Sequence, residues 1–172
     1  STSPGEGKSM VACNLALSLA QAGRRVILLD ADLRKPKVHQ AFGMPQEPGL
    51  SNVLVGNAKA SESVRKTSTP GLWVLPSGRI PPNPAELLGS QRFHDFVGSL
   101  RQHFDWIVID SPPVMAVADA SVLANFATGV VFVVGSEMTS RHIARRAIEQ
   151  LNNSQAKFFG AVLNRVDLNR NA

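Results

Sequence analysis

Short runs of uninterrupted apolar residues recur along the chain and predict buried β-strands. They are rich in Val, Ile and Leu and do not alternate with polar residues, which is typical of strands covered on both faces. The runs are RVILLD (25–30), LWVLP (72–76), WIVID (106–110), GVVFVV (129–134) and FFGAVLN (158–164).

Segments with helical spacing lie between these runs. In SMVACNLALSLAQAG (9–23), apolar residues recur at helical intervals up to Gly23, a residue type common just beyond a helix end. Strands that alternate with helices predict an α/β fold, with a mostly parallel sheet flanked by helices on both faces. The stretch 35–84 is richer in Pro, Gly and Ser, and we expect a surface loop there with one or two short helices. The other clear helical segments are ADASVLANF (118–126) and SRHIARRAIEQL (140–151).

Composition limits the possible classes of protein. With 172 residues, 44% of them hydrophobic, we expect a single domain over residues 1–172. The one cysteine, Cys13, excludes an internal disulfide framework and suits a reducing cytosol. No apolar run approaches the roughly 18 residues that a membrane span requires. A net charge of +5 favours an acidic partner, such as nucleotide, anionic lipid or nucleic acid, but a solvated basic surface explains it equally well.

The opening STSPGEGKSM has the composition of a loop whose backbone N–H groups turn inward around phosphate oxygens. In such loops the lysine, here Lys8, reaches the β- and γ-phosphates, and the hydroxyl of Ser9 coordinates Mg²⁺. The position five residues before Gly7 is normally Gly but is Thr2 here. A simple Gly-Pro turn before a helix therefore remains an alternative for the loop taken alone.

A phosphate loop of this type follows a central parallel strand, whereas here the loop begins at residue 1. We therefore expect the chain to be a fragment that lacks the first strand of its fold. The missing strand would leave a slot in the sheet and expose strand edges.

Three acidic residues end two of the predicted strands. Asp110 follows WIVI, and Asp30 and Asp32 occur in VILLDADLRKP. Ligands of open α/β sheets bind at this carboxyl edge, where a carboxylate can hold the shell of a magnesium ion. One carboxylate of the Asp-Ala-Asp pair could also accept a proton from an attacking hydroxyl. The alternative is that these residues cap helices or form solvated turns.

The motifs SPGEGKS, ILLDADLRKP and FDWIVIDSPPV, in this order, resemble the three nucleotide motifs of the bacterial tyrosine kinases. Members of that family are cytoplasmic partners of polysaccharide co-polymerases in capsule and exopolysaccharide export. Further segments resemble the family over nearly the whole chain: GLSNVLVG (49–56), LPSGRIPPNPAELLGS (75–90), VADASVLA (117–124) and GAVLNRVD (160–167).

The resemblance implies an ATP-dependent protein tyrosine (auto)kinase that regulates polymerisation and export of the polysaccharide. Asp30 would be the base for the tyrosine hydroxyl, and Asp32 and Asp110 would organise the metal. The implied cofactors are ATP and Mg²⁺. The implied catalytic residues are Lys8, Asp30, Asp32 and Asp110; the implied metal ligands are Ser9, Asp32 and Asp110; the implied nucleotide-binding residues are Pro4, Gly5, Glu6, Gly7, Lys8, Ser9, Met10 and Asn164.

The chain contains no tyrosine and cannot phosphorylate itself on that residue. In the family the acceptors form a tyrosine-rich tail offered by a neighbouring subunit, so we expect truncation at both ends and a homo-oligomer of the full-length protein. The resemblance also implies a membrane co-polymerase or activator domain, in the same or a separate chain. It places the protein in the cytoplasm at the inner face of the plasma membrane, through that partner or a missing N-terminal region, without a nucleic-acid partner.

A second class of protein stays open. Partition and division-site ATPases share this fold and use nucleotide to dimerise on DNA or membrane. They carry a signature lysine in the first half of the phosphate loop, where this chain has Ser3. The Asp30/Asp32 pair and the SPP motif favour the kinase. A regulatory ATP-binding module with weak catalysis is a third alternative, because motifs indicate binding more firmly than turnover.

Overall fold

The computed structural model describes residues 1–153 and 157–167. The chain divides into two compact units. One consists of Ser1–Lys8 together with Pro112–Ala172, and the other of Ser9–Ser111.

Helices and strands alternate along most of the chain. The strands are β1 (Val26–Asp30), β2 (Arg65–Lys66), β3 (Leu72–Leu75), β4 (Trp106–Asp110), β5 (Gly129–Gly135) and β6 (Lys157–Asn164). The helices are α1 (Lys8–Gln21), α2 (Val38–Ala41), α3 (Leu50–Val55), α4 (Ala60–Ser63), α5 (Pro84–Leu88), α6 (Gln91–Leu100), α7 (Asp119–Ala124) and α8 (Arg141–Asn152).

The unit of residues 9–111 is built on a four-stranded sheet in the order β2-β3-β1-β4. Strand β1 pairs in parallel with β3 on one side and with β4 on the other, and all five of its residues are buried. Helix α1 contributes Cys13, Ala16 and Ala20 to the same core as residues of β1 and β3. These side chains are small, so the helix backbone can lie close to the sheet.

The other unit contains a two-stranded parallel sheet of β5 and β6. Its core joins Phe132 of β5 to Ala120 of α7 and Ala147 of α8. Helix α8 begins after Ser140, whose hydroxyl oxygen accepts a hydrogen bond from the N–H of Ile143. This side-chain cap satisfies one of the N–H groups that a helix start leaves unpaired.

The predicted α/β architecture is confirmed. The five apolar runs form β1, β3, β4, β5 and β6, and the three predicted helices form α1, α7 and α8. The expectation for residues 35–84 was wrong in detail, because this stretch contains α2, α3, α4 and the short strand β2 in addition to β3. Among the helices of the described ranges, none combines the length and apolar character that crossing a bilayer requires.

Candidate functional site

The opening loop has a backbone shape that depends on glycine. Gly5 and Gly7 have φ angles of 88° and 90°, a region that side chains disfavour. A Cβ atom added at Gly7 would also lie 2.1 Å from Nδ2 of Asn164. Successive backbone N–H groups in turns of this kind form concave binding sites for anions, so the loop geometry fits a phosphate ligand.

Glu6 lies inside this loop and is fully buried. Its Oε2 accepts hydrogen bonds from the N–H groups of Thr2 (2.7 Å) and Ser3 (2.9 Å). Its Oε1 accepts from the hydroxyls of Thr2 (3.0 Å) and Thr139 and from the N–H of Gly135 (3.3 Å). Burial by itself would raise the pKa of Glu6, but these hydrogen bonds together lower it to about 2. The side chain is therefore an anion at neutral pH.

The contacts of Glu6 decide which backbone groups can face a phosphate. The N–H groups of Thr2 and Ser3 point to the carboxylate, and Pro4 has no N–H. The donors available for phosphate oxygens therefore start at Gly5. They extend to Lys8, the first residue of α1, whose N–H has no partner within the helix.

Asn164 lies at the end of β6, beside the loop. Its Nδ2 donates a 2.9 Å hydrogen bond to the carbonyl oxygen of Glu6. In this structure the amide thus supports the loop backbone. The adenine contact that the resemblance implies for Asn164 stays a prediction.

The three predicted carboxylates come together in the unit of residues 9–111. Asp30 and Asp110 are direct register partners at the ends of the parallel strands β1 and β4. Asp32 follows β1 by two residues, and its Oδ1 accepts hydrogen bonds from the N–H groups of Arg34 (3.3 Å) and Lys35 (3.0 Å). All three side chains are buried, with Asp32 the most exposed at 8%.

Asp30 has an unusual environment for an aspartate. Its Oδ2 accepts hydrogen bonds from the N–H groups of Lys37 (3.2 Å) and Val38 (3.0 Å), and its Oδ1 from that of Asp32 (3.3 Å). Burial, followed by the charge of Asp110, raises the pKa of Asp30 to about 7, although the N–H of Val38 opposes this shift. A carboxylate with a pKa near 7 can act as a general base at neutral pH.

Helix α1 presents one face to these carboxylates. Cys13 is buried on that face, and its pKa is raised to about 12 by burial and then by the charges of Asp110 and Asp30. Ser9 precedes Cys13 by four residues, so both side chains lie on the same side of the helix. The structure thus places Ser9 on the α1 face that carries Cys13. The raised pKa keeps this thiol protonated at neutral pH.

The predicted metal ligands fit a magnesium ion in their chemistry, since Ser9, Asp32 and Asp110 offer the oxygen atoms that this ion prefers. Within residues 1–153 and 157–167, no group of three or more His, Cys, Asp or Glu side chains is arranged to hold a metal by itself. Magnesium in phosphoryl-transfer sites is bound through one or two carboxylates together with waters and the phosphates of the substrate, which is compatible with this arrangement.

Comparison with known proteins assigns the family. The family model described as "AAA domain" matches residues 3–161. The chain is 42% identical over 172 residues to the tyrosine-protein kinase YwqD of Bacillus subtilis (strain 168), covering all of this chain and 73% of that protein. The chain belongs to the bacterial tyrosine-protein kinase family. It is also 37% identical to the putative tyrosine-protein kinase CapB of Staphylococcus aureus, covering 96% of this chain and 73% of the relative.

Solved structures agree with membership of the kinase family. The crystal structure of the chimerical protein CapA2B2 superposes with a TM-score of 0.93 at 40% identity, over 95% of this chain and 73% of that one. The septum site-determining protein MinD of Pyrococcus horikoshii, complexed with Mg-ADP, has a TM-score of 0.80 at 24% identity, over 96% and 68% of the two chains. Its similarity shows the shared P-loop fold alone. The prediction of a tyrosine kinase is confirmed over the division-site ATPase, and the family is a nucleotide-binding one.

Sequence patterns missed part of the site. The motif predicted Glu6 as a nucleotide-binding residue but did not indicate the contacts of its buried side chain with Thr139 and Gly135, which lie more than 120 residues away in the sequence. Likewise, the sequence around Asp30 did not indicate that the N–H groups of Lys37 and Val38 would donate hydrogen bonds to its carboxylate.

Proposed function

We propose that this chain transfers the γ-phosphoryl group of ATP to the hydroxyl of a tyrosine in another polypeptide. The observation that carries the proposal is Asp30, a buried carboxylate whose pKa is raised to about 7. A simple ATPase has no need of a base for a phenolic hydroxyl, whereas a tyrosine kinase benefits from one that is ionised at neutral pH.

The phosphate loop and Lys8 would bind the nucleotide. The N–H groups from Gly5 to Lys8 would supply hydrogen bonds to phosphate oxygens, and the positive end of the helix that begins at Lys8 would favour negative charge there. Lys8 adds a full positive charge. Together these groups stabilise the charge that develops on the leaving phosphate oxygens during transfer.

Ser9, Asp32 and Asp110 are the residues that would hold a magnesium ion with the nucleotide. A Mg²⁺ ion held there would supply positive charge that offsets the negative charge of the phosphates. Asp30 would position the tyrosine hydroxyl and take its proton. The Oδ2 of Asp30 already accepts two backbone hydrogen bonds. The tyrosine hydroxyl must therefore donate to one of the remaining lone pairs of the carboxylate.

The phosphate acceptor must come from outside these 172 residues, which contain no tyrosine. We propose a tyrosine-rich segment of a neighbouring subunit as acceptor, as the family implies, and a membrane co-polymerase or activator domain as partner. Such a partner would hold the kinase at the inner face of the plasma membrane, where the chain would regulate capsule or exopolysaccharide export.

The proposed reaction is tested by incubation with γ-labelled ATP, Mg²⁺ and a synthetic copolymer of glutamate and tyrosine. Because the chain lacks tyrosine, any labelled tyrosine belongs to the added acceptor. We expect Lys8→Met to abolish labelling and Asp30→Asn to reduce it by about 100-fold or more, the usual loss when a general base is removed.

The matched controls are Lys66→Met and Asp105→Asn, which remove the same charges at exposed or half-exposed surface positions. Both should label the acceptor like the parent chain. ATP hydrolysis by the parent with unlabelled tyrosine would instead support the partition or division-site type of ATPase.

A further inference from the structure

The phosphate loop encloses a carboxylate that phosphate binding by itself does not require. A negative charge beside a site for anionic ligands disfavours binding, yet Glu6 is fully buried within the loop. It accepts hydrogen bonds from three N–H groups and two hydroxyls, donated by Thr2, Ser3, Gly135 and Thr139. These hydrogen bonds indicate that the anion helps to maintain the structure of the loop.

The donors around Glu6 favour its charged form. An ionised carboxylate only accepts hydrogen bonds, whereas a protonated one would direct its own O–H at a donor. The hydroxyl oxygens of Thr2 and Thr139 lie 3.0 Å apart, and each carries one proton. When both protons point at Oε1 of Glu6, neither is left for the other threonine. The carboxylate thus orients both hydroxyls and fixes the polar cluster.

We propose that the side chain of Glu6 is a positioning residue for nucleotide binding, and that it acts together with Thr139. It turns the N–H groups of Thr2 and Ser3 away from the ligand and ties the loop to the segment that follows β5. The N–H groups from Gly5 onward are thereby held ready for phosphate. This inference rests on the proposed function, since it concerns the same nucleotide.

The two oxygens of Glu6 differ in what could replace them. Oε2 faces two backbone N–H groups, which cannot change from donor to acceptor. Oε1 faces two hydroxyls, which can rotate and accept, and the more distant N–H of Gly135. In Glu6→Gln the amide oxygen can replace Oε2 while the amide nitrogen donates to a hydroxyl, so mainly the Gly135 contact is lost. Glu6→Ala loses every contact.

The test is the dissociation constant of a fluorescent ATP analogue with Mg²⁺ for the purified protein. Because hydrogen bonds to a charged group are stronger than those between neutral groups, Glu6→Ala should weaken binding of the analogue by about 10- to 100-fold. Glu6→Gln should bind with an affinity between those of Glu6→Ala and the parent. Thr139→Val, which keeps the shape but removes the hydroxyl, should weaken binding by about tenfold. Thr139→Ser, which restores the hydroxyl, should bind within about twofold of the parent.

Kinase assays separate an effect on nucleotide binding from an effect on the phosphotransfer step. At saturating ATP, kcat of Thr139→Val should return to that of the parent while KM for ATP stays raised. The surface controls Glu149→Gln and Thr128→Val, both at exposed positions, should change neither constant.

Parent-like affinity of folded Glu6→Ala and Thr139→Val would overturn the inference. If Glu6→Ala fails to fold, the comparison of Thr139→Val with Thr139→Ser decides alone, because equal affinities of these two variants also overturn it. A parent chain that binds the analogue tightly but labels no tyrosine would contradict only the proposed phosphotransfer.

Discussion

At the scale of single residues, the pKa of Asp30 is the property that most distinguishes this site. The strand register sets Asp30 beside Asp110 at the end of the sheet, and burial raises the cost of a second negative charge there. A base must be ionised to accept a proton. Activity should therefore depend on pH in the range where Asp30 titrates.

We predict that kcat/KM for the tyrosine acceptor rises about tenfold per pH unit below pH 7 and levels off above it. A pH–rate profile of the parent chain measures this, with Asp105→Asn as the control that should keep the same midpoint. A midpoint near the ordinary aspartate value of 3.8 would contradict the assignment of Asp30 as the base.

The unfolding free energy should fall as the pH rises, whereas activity should increase. The pKa of Asp30 is higher in the folded chain than its ordinary value of 3.8, so the folded state binds the proton more tightly. Between pH 5 and 7 the parent should therefore lose up to about 1.4 kcal/mol of unfolding free energy per pH unit relative to Asp30→Asn. Urea unfolding at several pH values measures the difference.

At the scale of elements, helix α3 is joined to the turn after β3 by a close approach of two backbones. The N–H of Leu50 donates to the carbonyl oxygen of Pro76 at 2.7 Å. A Cβ atom added at Gly49 would lie 2.2 Å from the backbone nitrogen of Gly78 and 2.3 Å from the oxygen of Pro76. Only glycine at position 49 permits this contact, because backbone atoms cannot move aside as a flexible side chain would.

We predict that Gly49→Ala lowers the unfolding free energy by about 2 to 3 kcal/mol through this overlap. The matched control is Gly98→Ala in helix α6, where an added Cβ meets nothing within 4 Å. Because alanine favours helix over glycine, the control should raise stability by up to about 1 kcal/mol. Equal effects of the two substitutions, measured by urea unfolding, would refute this account of the α3 contact.

The elements themselves were largely predictable from the sequence. Strands such as β1 and β4 are short runs of apolar residues that include β-branched Val and Ile, so local composition predicts a strand there. Motif spacing likewise located the three carboxylates at strand ends. The short helices between residues 35 and 84 were not predictable in number, because α2 and α4 have four residues each, too few for local propensity to determine a helix. Long-range partners such as Thr139 for Glu6 leave no local pattern at all.

At the scale of the whole molecule, the proposed function depends on where the γ-phosphate of ATP goes. The family shares its fold with MinD, a cell division ATPase that also binds nucleotide. Nucleotide binding alone therefore does not separate a kinase from an ATPase. The fate of the phosphate does, because a kinase transfers it to a hydroxyl and an ATPase transfers it to water.

The most direct measurement counts phosphotyrosine and inorganic phosphate in the same reaction of the parent chain with Mg²⁺, ATP and a tyrosine-containing acceptor. We predict that phosphotyrosine accounts for most of the ATP consumed, and that Asp30→Asn loses phosphotyrosine while it still binds the fluorescent ATP analogue. Inorganic phosphate as the dominant product, with consumption unchanged in Asp30→Asn, would contradict the proposed transfer to tyrosine.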